Sequence, residues 1–478
     1  MHFETARSIA QRVGRSRRIG FLLVVLPALL LQSDVWQAVA AGSPSAGIGI
    51  GSTPDKVSHV GRWFTDRQGR VLVFHGAEVD SVEHIEAGKD SAIFEGAGFN
   101  MLHLMTNWAA MEPHPGVYDE RELQRLLKVQ QTFWRRGIYT LIDIYGAPGP
   151  EWAKIDTGRL TVPGGGGTTV PDPTGRLSPG MFLVYNQGEQ NFWDNRPGPG
   201  GVGVQDRWIA MYAHVVGFFR DTPGIAGFSM MNEPVPGSEY QEISAGPLGT
   251  PRFDLDVLAP FYRKSIAALR KQNQHALVFY EPMATFNVGY APSWLGILGD
   301  PDLVFDYHCY VCGLASAASA MPPGSTREQE AQMVANRNNA PAFQGERGFF
   351  VGSAPDLSNT DAAMQGWTYF VYGSGSPYNT NITNAWVRPY PRAIAGTPTA
   401  WSFDTNSKAF TFNYSTTQPN GHTGRALTDV FLPQLVYANG YDLELHGARV
   451  SGRDLNGQLL HLHADPGART VTMRVTAH

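Results

Sequence analysis

Short apolar runs recur along residues 71–370, each closing on a polar or aromatic residue, with helically spaced stretches between several of them. The runs fall at 71–76, 99–105, 138–144, 224–229, 276–281, 303–308, 341–346 and 364–370. Near-continuous apolar character over such short lengths is what a strand covered on both faces requires. Between them, 91–98, 119–136, 208–219, 253–271 and 325–337 carry helical spacing. The clearest is 119–136, where Leu123, Leu126, Leu127, Val129, Phe133 and Trp134 share a face, Asp119 stands as the N-cap and Gly137 as the stop. Eight such strands with interleaved helices predict an α/β chain folded as a (β/α)8 TIM barrel. After Ala393 the period changes to two: 410–414, 427–432, 441–445, 459–462 and 471–475 alternate between turn signals, the rhythm of a β-sandwich. The predicted organisation is a barrel over 59–395 and a C-terminal β-sandwich over 396–478, divided near Gly396-Thr397-Pro398.

The N-terminus reads as an export signal over 1–40. Arg12, Arg15, Arg17 and Arg18 precede an apolar run from Phe21 to Leu31, and Ala38-Val39-Ala40 offers a small-x-small cleavage pattern. The run is short for a membrane span and contains Pro27, so a cleaved signal is favoured over an anchor. A flexible leader over 41–58 follows, and the expected location is secreted or cell envelope. Net charge is −5 with 17% charged residues, which leaves no field for nucleic acid. The 53 Gly and 33 Pro imply long loops, above all 146–203, which is expected to wall or lid a site. The only cysteines, Cys309 and Cys312, lack the further ligands zinc needs; a local disulfide fits an exported chain better, with redox chemistry the outside reading.

Catalytic groups of a barrel stand at the carboxyl ends of its strands. There the fourth strand delivers Asn232-Glu233-Pro234 and the seventh ends in Glu346. Two carboxyl groups facing one sugar are the apparatus of glycoside hydrolysis: Glu233 as general acid and base, Glu346 as nucleophile. Asn232 is placed to bond the sugar 2-hydroxyl. His308 and Tyr310 share a face after strand six, Tyr310 able to donate to Glu346, His308 to bond the sugar or the acid. A lone glutamate at a strand end is more often structural, and His308 could be a core imidazole; the pair of strand-end glutamates favours catalysis. His103 and Tyr145 read equally as site wall or core, Trp367 and Tyr369 as core or sugar platform. Glu281 reads as structural or outer-site.

Asn232-Glu233-Pro234, His308-Cys309-Tyr310 and Gly345-Glu346 resemble the motifs of glycoside hydrolase family five, and within it the endoglycoceramidases. Residues 99–119, with Trp108, Glu112-Pro113, Pro115-Gly116 and Tyr118, and the junction Arg388-Pro389-Tyr390-Pro391-Arg392-Ala393, are similar to stretches of that group. The resemblance spans about 60–478. It implies a retaining glycosidase, needing no cofactor or metal, that cleaves the β-bond between a sugar or oligosaccharide and ceramide. Its partners would be a glycolipid or oligosaccharide, with transient contact to a membrane or micelle surface. The chain departs from the group's pattern at His103 (usually Arg), Tyr145 (usually His), Phe370 (usually Trp) and Glu78 (usually Asn), so the sugar-contacting shell is altered. Apolar loops after strands five (Phe286, Val288, Tyr290, Trp294, Leu295, Ile297, Leu298) and six (314–323) suit a lipid aglycone, unless they cover each other. The alternatives are an endo-β-glucanase or mannanase and a non-catalytic glycolipid binder.

Overall fold

The computed structural model describes residues 56–145, 150–153, 187–236, 251–287, 289, 291–310, 325–348, 356–373, 386–423 and 426–478. The signal, almost all of the leader, most of the 146–203 loop, the 314–323 loop, Val288, Tyr290 and Cys312 lie outside them. Among the described residues no helix is long and apolar enough to cross a membrane.

Eight parallel strands close into a barrel. Three short strands come first: β1 (Ser58–Val60), β2 (Trp63–Thr65) and β3 (Val71–Leu72). The barrel follows as β4 (His75–Val79), β5 (Met101–Asn107), β6 (Tyr139–Tyr145), β7 (Ile225–Ser229), β8 (Val278–Tyr280), β9 (Leu303–Cys309), β10 (Ala342–Arg347) and β11 (Trp367–Tyr369), with β11 returning to pair with β4. The apolar run at 71–76, expected to be the first barrel strand, is divided: Val71–Leu72 pairs antiparallel outside the barrel, and the barrel begins at His75. Helices include α1 (Ala87–Gly96), α2 (Trp108–Met111), α3 (Glu120–Trp134), α4 (Gln187–Trp193), α5 (Val204–Phe219), α6 (Ala259–Arg270), α7 (Ala284–Asn287), α8 (Arg327–Asn336) and α9 (Ser358–Ala363). Asp119 caps α3 through its carboxylate on the Arg121 N–H, as its position before the periodic run requires.

The barrel is apolar at its amino-terminal end and polar at the other. Phe74, Met101, Leu141, Phe279, Val304 and Phe343 fill the floor, and Phe64 of β2 plugs it, ring centroids 5.2 Å from Phe74 and 6.1 Å from Phe279. Above this layer the interior side chains become Glu78, His103, Asp143, Glu281, Asp306, His308 and Glu346, all buried. The fold therefore concentrates its ionisable groups at one mouth.

Beyond the barrel, β12 (Tyr390–Ile394), β13 (Thr397–Phe403), β14 (Phe410–Ser415), β15 (Thr428–Phe431), β16 (Tyr441–His446), β17 (Ala448–Asp454), β18 (Leu459–Ala464) and β19 (Thr470–Ala477) form two antiparallel sheets. One runs β13-β14-β19-β16. The other runs β1-β2-β3-β12-β15-β18-β17, so the first three strands of the described chain sit in the C-terminal sheet. Alternation is strict: Phe410, Phe412 and Tyr414 of β14 and Val471, Met473 and Val475 of β19 are buried, their neighbours not. The two units lock through Arg388, which pairs with the buried Asp361 of α9 while Trp401 Nε1 donates to the same carboxylate at 3.2 Å.

Candidate active site

Glu233 sits one turn past β7 in a left-handed backbone, φ 41°, which a glutamate adopts only where its surroundings hold it. Its N–H donates to Glu281 Oε2 at 2.9 Å. Its carboxylate Oε1 accepts from Asn287 Nδ2 at 3.1 Å and meets His308 Nδ1 at 2.9 Å. Across the mouth, Glu346 on β10 accepts a short hydrogen bond from the Tyr310 hydroxyl and lies 3.3 Å from the same His308 nitrogen. His308 is thus the centre of the site, with Glu281 Oε2 3.4 Å from its Nε2. Ligating atoms of Glu233, His308 and Glu346 fall within 4.8 Å of one another. Such a trio has the donor set for a cation, but its atoms already bond each other.

The electrostatics follow from burial. Desolvation pushes the Glu346 carboxyl up to about 7, Glu233 adds to the rise, and His308 and the Tyr310 bond oppose it. Burial would strip His308 of its proton, yet Glu281, Glu346 and the bonds to Glu233 and Glu281 hold it well above the ordinary imidazole range. Burial, then the charges of Glu346 and Glu233, drive both Tyr145 and Tyr310 well up, so both phenols stay donors. Glu78 and Asp306 are likewise pushed well up, by burial first and then by Glu346 and Glu281 respectively.

His103, standing on β5, does not touch Glu346. Its Nδ1 bonds the Gly345 carbonyl at 3.0 Å and lies 3.5 Å from Glu78, while Nε2 meets Asp143 at 3.3 Å. It braces the backbone immediately before Glu346. Tyr145 ends β6 half-buried, near enough for its phenol to feel the charges of both Glu346 and Glu233. Asn232 is buried beside Glu233. Phe370 is half-buried with its ring edge-on to Tyr310, centroids 6.3 Å apart.

Trp367 is not a sugar platform. On β11 it is Thr368 that faces inward, bonding the Gly345 carbonyl, so Trp367 and Tyr369 face outward. Trp367 has no exposed surface and stacks on His75, with Trp386 5.4 Å away. The loop after β8 is also more closed than its composition suggests. Phe286, Leu295 and Leu298 are buried, Phe286 against Phe305 and Tyr307; only Trp294 and Ile297 among its described large apolar residues are exposed. Two residues emerge that the sequence reading did not place at the acid: Glu281 and Asn287. Asn287 carried no signal, being one amide in an apolar loop; Glu281, closing a strand before Pro282, carried the same strand-end signal as Glu233. Cys309 is disulfide-bonded at the buried end of β9.

Residues 388–476 match the glycoside hydrolase family 5 C-terminal domain. Over 456 residues the chain is 28% identical to endoglycoceramidase I of Rhodococcus hoagii (strain 103S), covering 86% of this chain and 84% of that protein. It is 24% identical to an endoglycoceramidase of Hydra vulgaris over 80% of this chain and 81% of that one. Endo-glycoceramidase II from Rhodococcus sp., also solved as a ganglioside GM3 complex, superposes with a TM-score of 0.65 at 22% identity, over 87% of this chain and 99% of its own. These likenesses reach the barrel and the tail together, around a mouth holding two glutamates and an imidazole. The chain is an endoglycoceramidase-like glycoside hydrolase that carries the family 5 C-terminal domain.

Proposed function

We propose that this enzyme cleaves glycolipids at the β-bond between sugar and lipid, ceramide being the favoured aglycone, by double displacement. The observation that carries the chemistry is the spacing of Glu233 and Glu346, whose nearest ligating oxygens lie within 4.8 Å with one imidazole between them. Retaining glycosidases hold their carboxyls about 5–5.5 Å apart, whereas inverting ones leave room for a water between them. Glu346 attacks the anomeric carbon as Glu233 gives its proton to the departing oxygen. Glu233 then takes a proton from water, which displaces Glu346 from the glycosyl ester. The Tyr310 hydroxyl and His308 stabilise the charge on Glu346 before attack and when it is released. Asn232 meets the sugar 2-hydroxyl, and Tyr145 and Phe370 shape the sugar's side of the mouth. The relatives' names support the glycolipid, and exposed Trp294 and Ile297 suit transient contact with a membrane or micelle. The basic and then apolar sequence over 1–40 supports export, which would put the reaction outside the cytoplasm.

The test is sugar release from lactosylceramide, glucosylceramide, galactosylceramide, a ganglioside and a steryl glucoside in detergent, with carboxymethylcellulose alongside. Wild type, Glu233→Gln and Glu346→Gln are compared. Release of glycan with intact lipid, lost in both variants, is expected. Cleavage of the polysaccharide alone would refute the lipid assignment.

A further inference from the structure

One buried carboxylate at the mouth neither attacks carbon nor protonates the leaving group. Glu281 follows β8, has no exposed surface, and precedes Pro282. Its backbone is fixed on both sides by one phenol: Glu281 N–H donates to the Tyr262 hydroxyl at 3.1 Å, and that hydroxyl donates to the Glu281 carbonyl at 2.8 Å. From this anchored position Oε2 takes the Glu233 N–H at 2.9 Å and faces His308 Nε2 at 3.4 Å.

We propose that Glu281 is a positioning residue, holding Glu233 in its left-handed backbone and keeping His308 protonated between the two reacting carboxyls. This rests on the roles of Glu233 and Glu346 given above. The charges around His308 require such a group. Glu233 faces it from the end of β7, Glu346 from β10, Asp306 from its own strand and Glu78 from β4, with His103 beyond Asp306. At the start of the reaction Glu233 carries the proton to be donated, and burial pushes the carboxyls of Asp306 and Glu78 well up, toward their neutral forms. Glu346 must spend its charge on carbon, and once it forms an ester it no longer supports the imidazolium. Glu281 is then the partner that takes no part in bond making, fixed 3.4 Å from Nε2; burial raises its carboxyl, and the charge and bond of His308 oppose that rise. Its contact with the Glu233 N–H links the same carboxylate to the strained backbone, so charge and geometry of the acid are set from one place.

Glu281→Gln keeps an oxygen for the Glu233 N–H and loses the charge; Glu281→Asp keeps the charge and withdraws it by one methylene. The experiment is the pH profile of kcat/KM on an aryl β-glucoside and on lactosylceramide for wild type and both variants. Alongside it, the His308 imidazole is titrated by NMR on protein labelled with nitrogen-15 histidine, assigned through His308→Gln. In Glu281→Gln the alkaline limb and the His308 titration both move down by about one pH unit or more. There kcat falls further than KM changes, and Glu281→Asp shows a smaller shift in the same direction. Unmoved midpoints with a uniform loss of activity would overturn the proposal and leave Glu281 a packing residue. If wild type turns over neither substrate, the reading of the reaction fails, and the His308 titration alone decides the part played by Glu281. If Glu281→Gln does not fold, Glu281→Asp is read in its place, a downward shift supporting the proposal and none refuting it.

Discussion

Replacing Glu346 should stabilise the fold by an amount that grows as pH rises from about 4.5 to about 7 and is full above neutrality. Glu346 is 3% exposed, and its carboxyl titrates near 7 in the folded chain against an ordinary value of 4.5. A carboxyl raised in this way favours folding fully below its unfolded value and loses that contribution as pH rises through its folded one. Between about 4.5 and about 7, wild type therefore loses about 3 kcal/mol relative to a chain with no charge there. Gln has the same shape, and with its carbonyl in the Oε2 place it can still accept from Tyr310 and face His308, but its amide NH2 then replaces the acceptor Oε1. Allowing about 1 kcal/mol for that mismatch, Glu346→Gln should exceed wild type by about 2 kcal/mol above neutrality. Urea unfolding of both proteins at about pH 4.5 and about pH 8.5 measures this. A difference that opens at the higher pH supports the account. An equal difference at both values, or a less stable variant at the higher one, refutes the claim that burial strains this charge.

Tyr310→Phe removes the hydroxyl bonded to Glu346, a charge-assisted contact worth about 1.5–3 kcal/mol, so kcat should fall about 10- to 100-fold. The acid limb of kcat/KM should also move up, because Glu346 loses a group that favours its charged form; an unmoved limb would count against the contact. Arg388→Ala should cost about 3–5 kcal/mol, since Asp361 is left buried without its ion-pair partner, keeping only hydrogen bonds from Trp401 and the Phe403 backbone, while kcat of the folded protein stays unchanged. Thermal melts give the first quantity and active-site-normalised rates the second; a melt within error of wild type would show that the pair does not hold the units together.

The barrel was legible because its strands are short, apolar and closed by polar residues, and that signal survives without knowledge of pairing. What failed was local. Val71 to His75 is one apolar run, yet it serves two sheets, and only pairing decides where one strand ends. Strands β12 and β13 were missed because Pro391 and Pro398 argue against strand. Both prolines sit where the ladder is already interrupted, at register shifts before Ala393 and Ala400. From the sequence Trp367 reads equally as core or as a sugar platform, because an aromatic near a barrel rim fits either place. Which of two neighbours on a strand points inward is settled by closure of the barrel, and here Thr368 took the inner place. Glu233, Glu346, His308 and Tyr310 converge where the spacing put them. His103 shows the limit of reading a substitution by position: it holds the Gly345 carbonyl, next to Glu346, instead of the Glu346 carboxylate.

The sharing of one sheet by β1–β3 and the C-terminal strands bears on how the chain acquires its structure. Leu72 pairs with Ala393, more than three hundred residues later, and Phe64 seals the barrel floor only once those early strands are held. On a ribosome the N-terminal strands emerge long before their partner β12, and loops of that length close slowly. The early apolar residues wait exposed until the last part of the chain is made. The C-terminal sheets then act as a clasp on a nearly complete barrel, and a chain cut before β12 would be left with an unsealed floor instead of a smaller working enzyme.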